Sequence, residues 1–539
     1  MKKFLTVLLA IVVSLSTCVA CNKSKIDPND PQKLEVYIYN AGYGYEWCED
    51  IINAFKEEDW VKAKYPELKT SITKDELSTT AKEMLTATKK VNKYEVLFGT
   101  GLESSIGPDS NVVDLTEAVY NADVPGEDGV KFSEKMIPSY LISAAYNGKG
   151  TATAAKNYYL VNWASGMTGL IYNEDKLNAL GFTVPNTTDE LLDIMRRVKE
   201  LNGTNSAYRQ TTSFATYGAS AYLTYVYYTW WAQYQTSEEY INFYNGVDSD
   251  TQSRSPAVFR QKGILRTLEL MEQFMVLDKG YTWLNPNTGR EAFRETQNRV
   301  QLGNALFMAN GDWVDNELKV LRDGLAAQGH ADTVKMMRTP ILSSIIELTP
   351  TINDDNTLSA VVKAVDEGKT GYEGVSAADF ERIAQARRVV YSIGPGHNAY
   401  IPSFASGKEV AIDFLRYLAT DKANEIYIKA TNGASLPFKY DVKTANPTLF
   451  AQLSPMQQDR LNYFAEQDVN ILPPQSSFPL VRYGGLSTMA SGNPISDFVS
   501  NASKGSYGSI AEMAFEREYK YWTENGNTNW NGCLSQSGL

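Results

Sequence analysis

Two hydrophobic periods alternate along this chain, and that alternation limits its fold more than any other feature. Leu34-Glu-Val36-Tyr-Ile38-Tyr39 repeats with period two, the pattern of a half-buried strand. It ends in the glycine-rich loop Asn40-Ala-Gly-Tyr-Gly-Tyr45, after which Trp47, Ile51, Ile52 and Phe55 recur at helical spacing. Tyr94-Glu-Val-Leu-Phe98 is another short apolar run, closed by Gly99-Thr-Gly101. Strands alternating with helices predict α/β lobes built on mainly parallel sheets. Binding loops then gather at the carboxyl ends of the strands. At 539 residues the chain is well past the ~250–300 at which one core stops growing, so at least two units are expected.

The clearest helix start lies in Pro185-Asn-Thr187-Thr-Asp-Glu190. Thr187 can cap the first turn while Glu190 reaches back, which is a capping box. Leu191, Leu192, Ile194, Met195, Val198 and Leu201 make the buried stripe, and Asn202-Gly203 stops it. A second helix runs from about Lys408 to Ala419, with Val410, Ala411, Phe414, Leu415 and Leu418 on one face. There is no internal repeat and no low-complexity tract.

Several functions are excluded early. The balance of 51 Lys+Arg against 63 Asp+Glu gives net −12, which lacks the cationic field that drives nucleic-acid binding. No apolar run of ~18 residues follows the N-terminus, so a multispanning membrane protein is ruled out. Two histidines and four cysteines make a His/Cys metal cluster hard to assemble, and neither a metal nor a cofactor is expected. Asn147-Gly-Lys149-Gly150 fails as a phosphate loop, with Ser143 at the first glycine position and Gly150 where Ser or Thr belongs. No G-x-S-x-G elbow occurs. A glycosidase pair of carboxylates ~5–10 Å apart is neither marked nor excluded by counting acids.

Lys2 and Lys3 followed by the apolar stretch Phe4 to Val13 form a secretory signal core, too short to span a bilayer. Cys18-Val-Ala20-Cys21 resembles a bacterial lipobox, although Cys18 replaces the usual Leu. Leu15-Ser-Thr17-Cys18 is the alternative, with a less suitable Thr before its cysteine. The expectation is a lipoprotein signal over 1–20, lipidation at Cys21 and a polar tether over 21–32. Ordinary cleavage after Ala20 is the plainer alternative. The mature chain is then extracytoplasmic and lipid-anchored to the cell membrane. Cys48 and Cys533 remain in the folded part; the compartment permits a disulfide, and free thiols are the favoured reading.

Three blocks in order carry a family resemblance. They are Gly166-Met-Thr-Gly-Leu-Ile-Tyr172-Asn173-Glu-Asp-Lys-Leu-Asn-Ala-Leu-Gly181 with the Thr-Thr-Asp-Glu helix start; Met308-Ala-Asn-Gly311-Asp-Trp313; and Gly396-His-Asn-Ala-Tyr-Ile401-Pro402 with the Lys408 helix and Leu436-Pro437. Across roughly 33–440 the chain resembles the family 1 extracellular solute-binding proteins, the sugar-binding, maltose-binding-like components of ABC importers. The resemblance implies a two-lobe fold with a central cleft and discontinuous lobes. One lobe would be 33–161 plus 335–420 and the other 164–333 plus 423–539, with crossovers near Asn162–Ser165, residue 334 and Asp421. Residues 341–391 read as an insertion with helices around Ser359–Asp366 and Ala377–Tyr391. The implied function is non-enzymatic: a monomeric receptor that captures an oligosaccharide and hands it to ABC permease subunits. A surface glycan-degrading enzyme is the alternative.

A pyranose offers apolar faces to aromatic rings and hydroxyls to Asp, Asn, Glu or Arg. With 33 Tyr, 20 Phe and 9 Trp, candidates abound. The family's Gly-x-Trp tryptophan stacks on sugar, which implies that role for Trp313, flanked by Asp312 and Asp315. Trp163 sits in the first crossover, and Tyr43 and Tyr45 lie on the loop after the first strand. The run Tyr217 to Trp231 contributes Tyr217 and Trp230, with most of its rings expected to pack internally and about two to reach ligand. Trp283, His397, Asn398 and Arg482 complete the set. Paired tyrosines hold iron in related ferric-binding proteins, and Tyr158-Tyr159 and Tyr227-Tyr228 are such pairs. In a chain with 33 tyrosines such pairs are expected by chance, so iron is a remote alternative.

Overall fold

The computed structural model describes residues 26–40, 42–75, 85, 93–101, 106–108, 110–146, 149, 157–204, 211–218, 222–466 and 469–539. Two sheets organise it. The first runs in the order Lys69–Asp75, Lys33–Tyr39, Val96–Thr100, His397–Tyr400, Val161–Asn162. Its first three strands are parallel, His397–Tyr400 runs against them, and Val161–Asn162 pairs antiparallel to His397–Tyr400. Strand Lys33–Tyr39 is buried along nearly its whole length rather than half-buried as its alternation suggests, because it lies inside the sheet with both faces covered. Helix Glu46–Glu57 lays Trp47, Ile51, Ile52 and Phe55 onto that core, the spacing read from the sequence.

The second sheet runs Thr282–Asn285, Thr212–Tyr217, Ala305–Gly311, Thr168–Asn173, Val389–Tyr391, Asn470–Leu472, with Val334–Met337 also paired to Thr168–Asn173. Strands Thr282–Asn285, Thr212–Tyr217 and Ala305–Gly311 are parallel, and Thr168–Asn173 opposes them. Helix Thr188–Thr204 begins as expected. The Thr187 hydroxyl accepts from the Glu190 amide at 3.2 Å, while Glu190 reaches one residue further back, to the Asn186 amide at 2.7 Å.

The chain passes between the sheets at 163–165, where the Trp163 amide bonds the His397 carbonyl and the Ser165 amide the Ser435 carbonyl. The other crossings differ from expectation. Val334–Met337 and Val389–Tyr391 both pair in the second sheet, so the chain returns at 392–396 rather than at 334. Residues 335–391 therefore belong with the second lobe. Their helices, Asp355–Asp366 and Ala377–Arg387, form a cluster with Ile341 and Ile345 that is fixed to helix Leu223–Gln235: the Trp230 indole donates to the Pro340 carbonyl, and Arg382 to the carbonyls of Gln233 and Tyr234. Helix Asp421–Ala430 and Ala434, Leu436 and Phe438 pack into the first core, so the last crossing follows about 440 rather than 421.

Cys48 and Cys533 are free, buried in opposite cores. Among the described residues no helix is long and apolar enough to cross a membrane. Residues 1–20, the lipidation position Cys21 and the start of the tether lie outside the described residues.

Candidate functional site

A cavity of about 720 Å³ opens between the two sheets. Its walls come from the carboxyl ends of parallel strands, where an α/β sheet leaves loops free to diverge. The first sheet supplies Asn40, Gly42 and Tyr43 after Lys33–Tyr39, and Thr100 and Gly101 after Val96–Thr100. The second supplies Tyr222 and Tyr225 after Thr212–Tyr217, Arg290, Phe293 and Arg294 after Thr282–Asn285, and Trp313, Asn316 and Glu317 after Ala305–Gly311. His397 and Ile393 close the back along the second crossing.

Trp313 sits at the centre, immediately before helix Val314–Ala326 and only 7% exposed. The Gly311-Asp-Trp313 spacing has a steric cause. The ring folds back over Gly311, where a Cβ would fall 1.8 Å from the indole, and abuts Gly42 of the opposite lobe, where a Cβ would fall 2.8 Å from it. Tyr222 and Tyr225 present edges at 6.0 and 6.2 Å, and Tyr43 at 6.3 Å from the first lobe. The result is an aromatic cluster assembled from both lobes, suited to the apolar face of a ligand.

Asp312 lies behind that cluster, fully buried. It pairs with Arg460 at 3.2 Å and accepts the Tyr43 hydroxyl at 3.4 Å across the lobes. Burial pushes its carboxyl up to about 6 despite the guanidinium. Asp315 is consumed likewise by Arg322, Asn432 and Ser454. Burial also holds the His397 imidazole down at about 4, so at neutral pH it is an uncharged edge, 5.5 Å from the Tyr43 ring.

Of the residues singled out in the sequence, Trp313, Tyr43 and His397 line the cavity. Trp163 does not: it stacks on Trp47 at 5.4 Å and donates to the Gly99 carbonyl, supporting Tyr43 and His397 from below. Asp312 is a support behind the wall rather than part of it. Asn398 accepts from Asn162 at 2.7 Å inside the first sheet. Tyr217 packs its edge on Tyr222, one layer out. Tyr45 is half-buried under the Lys74 ammonium, 3.7 Å from the ring. Three candidates lie elsewhere. Trp230 is fully buried against Phe274, Trp283 is capped by Arg299 on an edge strand, and Arg482 sits over Tyr146.

Sequence reasoning missed Arg290, Phe293, Arg294, Asn316 and Glu317, and did not single out Tyr222 and Tyr225 within the aromatic run. A signal existed for two of them: Asn316 and Glu317 stand three and four residues after Trp313, on the same helical face. The tyrosine pairs weighed for iron fall in opposite lobes. Tyr158 stacks on Tyr120, and burial raises the Tyr227 and Tyr228 phenols, disfavouring phenolates. Among the described residues no cluster of three His, Cys, Asp or Glu could hold a metal.

Two lobes of α/β topology joined by several crossings, with a ligand-sized cavity between them, define a cleft-type solute-binding protein. The chain belongs to the bacterial extracellular solute-binding protein family, whose model matches residues 109–451. Solved structures agree on the fold. Maltose-bound T. maritima MalE3 superposes with a TM-score of 0.53 at 14% identity, covering 91% of this chain and 98% of that one. The Listeria monocytogenes ABC substrate-binding protein Lmo0181, in complex with cycloalternan, gives 0.54 at 12%, covering 91% and 98%. The GacH receptor of Streptomyces glaucescens, studied with acarbose, gives 0.51 at 12%, covering 91% and 97%. No curated protein sequence matches the chain.

Proposed function

We propose that this chain is the carbohydrate receptor of an ABC importer, capturing an oligosaccharide between its lobes and delivering it to a membrane permease. One observation carries the reading. The inter-lobe cavity is built around Trp313, with Tyr43, Tyr222 and Tyr225 converging on it and Asn40, Asn316, Arg294 and Glu317 placed at its rim. Stacking rings surrounded by hydrogen-bonding groups suit sugar, and several rings suit more than one sugar unit. The relatives bound to maltose and cycloalternan support the same class. No catalytic role is assigned to any residue.

The receptor acts as a monomer outside the cytosol, held by acyl chains on Cys21, since two or more chains anchor stably where one is marginal. A thermal-shift screen of the mature protein with plant and host oligosaccharides tests the ligand class. Stabilisation by at least one oligosaccharide is expected, and a screen without any response would refute it. Cell fractionation of Cys21→Ser tests the anchor: the variant should leave the membrane, and wild-type retention would disprove lipidation there.

A further inference from the structure

One carboxylate in the cavity wall keeps an oxygen unspent where the two lobes meet. Glu317 lies one turn after Trp313, its amide bonded to the Trp313 carbonyl at 3.1 Å, and both side chains line the cavity. Its Oε2 accepts the Gln297 amide at 2.6 Å, which fixes the carboxyl plane. Gln297 is itself buried, on helix Arg290–Gln301. Oε1 has no hydrogen-bond partner among the described residues and looks across to the first lobe, where a Cβ on Gly42 would fall 3.1 Å from it. Arg290 and Arg294 face the carboxyl from helix Arg290–Gln301, but they act through space, without a hydrogen bond to it. Their attraction does not outweigh burial, which pushes the carboxyl up to about 7. The other titratable groups around it are uncharged: burial raises the phenols of Tyr217, Tyr222, Tyr225 and Tyr43 and lowers the His397 imidazole.

Resting on the carbohydrate reading above, we infer that Glu317 reads the ligand's hydroxyl pattern at the lobe junction, its free oxygen accepting a hydroxyl of the sugar unit stacked on Trp313. A carboxylate accepts more strongly than a neutral group, and its fixed plane makes the acceptance directional. The same contact couples capture to a proton. In the empty cleft about half of the Glu317 carboxyls hold a proton at pH 7. A ligand hydroxyl donates to the charged form and favours it, so the carboxyl holds its proton less tightly in the complex. Capture of an uncharged sugar therefore releases a proton to solvent, and by linkage the affinity for sugar drops as pH falls through 7.

The test is calorimetric titration of the mature wild-type chain and Glu317→Gln with maltotriose, cellotriose, xylotriose and mannotriose, sugars that carry no ionisable group. Each is run at pH 7 in phosphate and in Tris, whose different ionisation heats count the protons released. A sugar that binds the wild type should release about half a proton, and its affinity should fall roughly tenfold between pH 7 and about 5.5. In Glu317→Gln the proton release should vanish, the pH profile should flatten, and affinity at pH 7 should drop about tenfold, the range of a charge-assisted hydrogen bond. Melting curves of the variant confirm that it is folded. Binding without proton release, or the same release and pH profile in both proteins, overturns the inference and leaves the receptor intact. Failure of every sugar overturns both.

Discussion

Trp313 is singled out through the family's Gly-x-Trp spacing, and that spacing has a steric cause: an indole folded onto a strand end leaves room only for glycine at 311. Trp313→Ala removes the central stacking face and should cost about 2–4 kcal/mol of binding, roughly 30- to 1000-fold in affinity. Because the ring is 7% exposed, some folding stability goes with it, so affinity must be measured by calorimetry below the variant's melting range. Normal affinity in the folded variant would reduce Trp313 to packing. Asp312 and His397 make an opposed pair. Burial raises the Asp312 carboxyl from 3.8 to about 6, so its folded form holds the proton more tightly and stability rises as pH falls through 6 towards 4. Burial lowers the His397 imidazole from 6.5 to about 4, so stability is lost as pH falls through the same window. Each effect is on the order of 3 kcal/mol at ~1.4 kcal/mol per pH unit, and the two nearly cancel. Denaturant titrations between pH 7 and 4 should therefore show His397→Gln gaining stability on acidification relative to wild type, and Asp312→Asn losing it. Parallel profiles for all three proteins would contradict both assignments. Asp312 reads as a ligand contact because a carboxylate beside a cleft tryptophan looks the same in sequence whether it faces sugar or Arg460.

Among the elements, the helices are legible where an amphipathic period or a cap marks them. Thr187 and Glu190 announce helix Thr188–Thr204, and the Thr187 hydroxyl also donates to Asp355 at 2.6 Å, tying that helix start to the insertion. Thr187→Ala should cost about 1–2 kcal/mol of stability, the upper part of the capping range, measured by urea denaturation. A change within ~0.5 kcal/mol, the ordinary surface range, would mean the cap contributes little. Strands Val334–Met337 and Val389–Tyr391 fall on the unexpected side because a strand's partner is non-local: both pair with Thr168–Asn173, more than a hundred positions away in sequence, and nothing in so short a segment names that partner. Helix Arg290–Gln301 escapes notice for the opposite reason. Arg290 and Arg294 sit on its polar face, and in sequence a polar face facing a cavity is indistinguishable from one facing water. Trp230 and Tyr225 belong to one helix, and only tertiary packing decides which ring turns to Phe274 and which to Trp313.

At the scale of the whole molecule, the two-lobe architecture follows from strand-helix alternation, length and three motif blocks, whereas the site comes from the meeting of six segments, none of which encodes it alone. The lobes already touch through the Tyr43–Asp312 bond and through Asn316, whose amide donates to the Gly42 carbonyl at 2.8 Å. A ligand that touches both lobes would favour the state in which both walls are near, and only such differential contact can shift the equilibrium. Small-angle scattering should show a smaller radius of gyration at saturating ligand, and an unchanged radius with proven binding would argue against hinged capture. The most direct test is calorimetric titration of the mature chain and its Trp313→Ala variant with a broad panel of neutral and acidic oligosaccharides. A sugar-capturing cleft requires one-to-one binding of at least one oligosaccharide by the wild type, weakened at least about 30-fold in the folded variant. No binding of any oligosaccharide, or equal affinity in the two proteins, would contradict it.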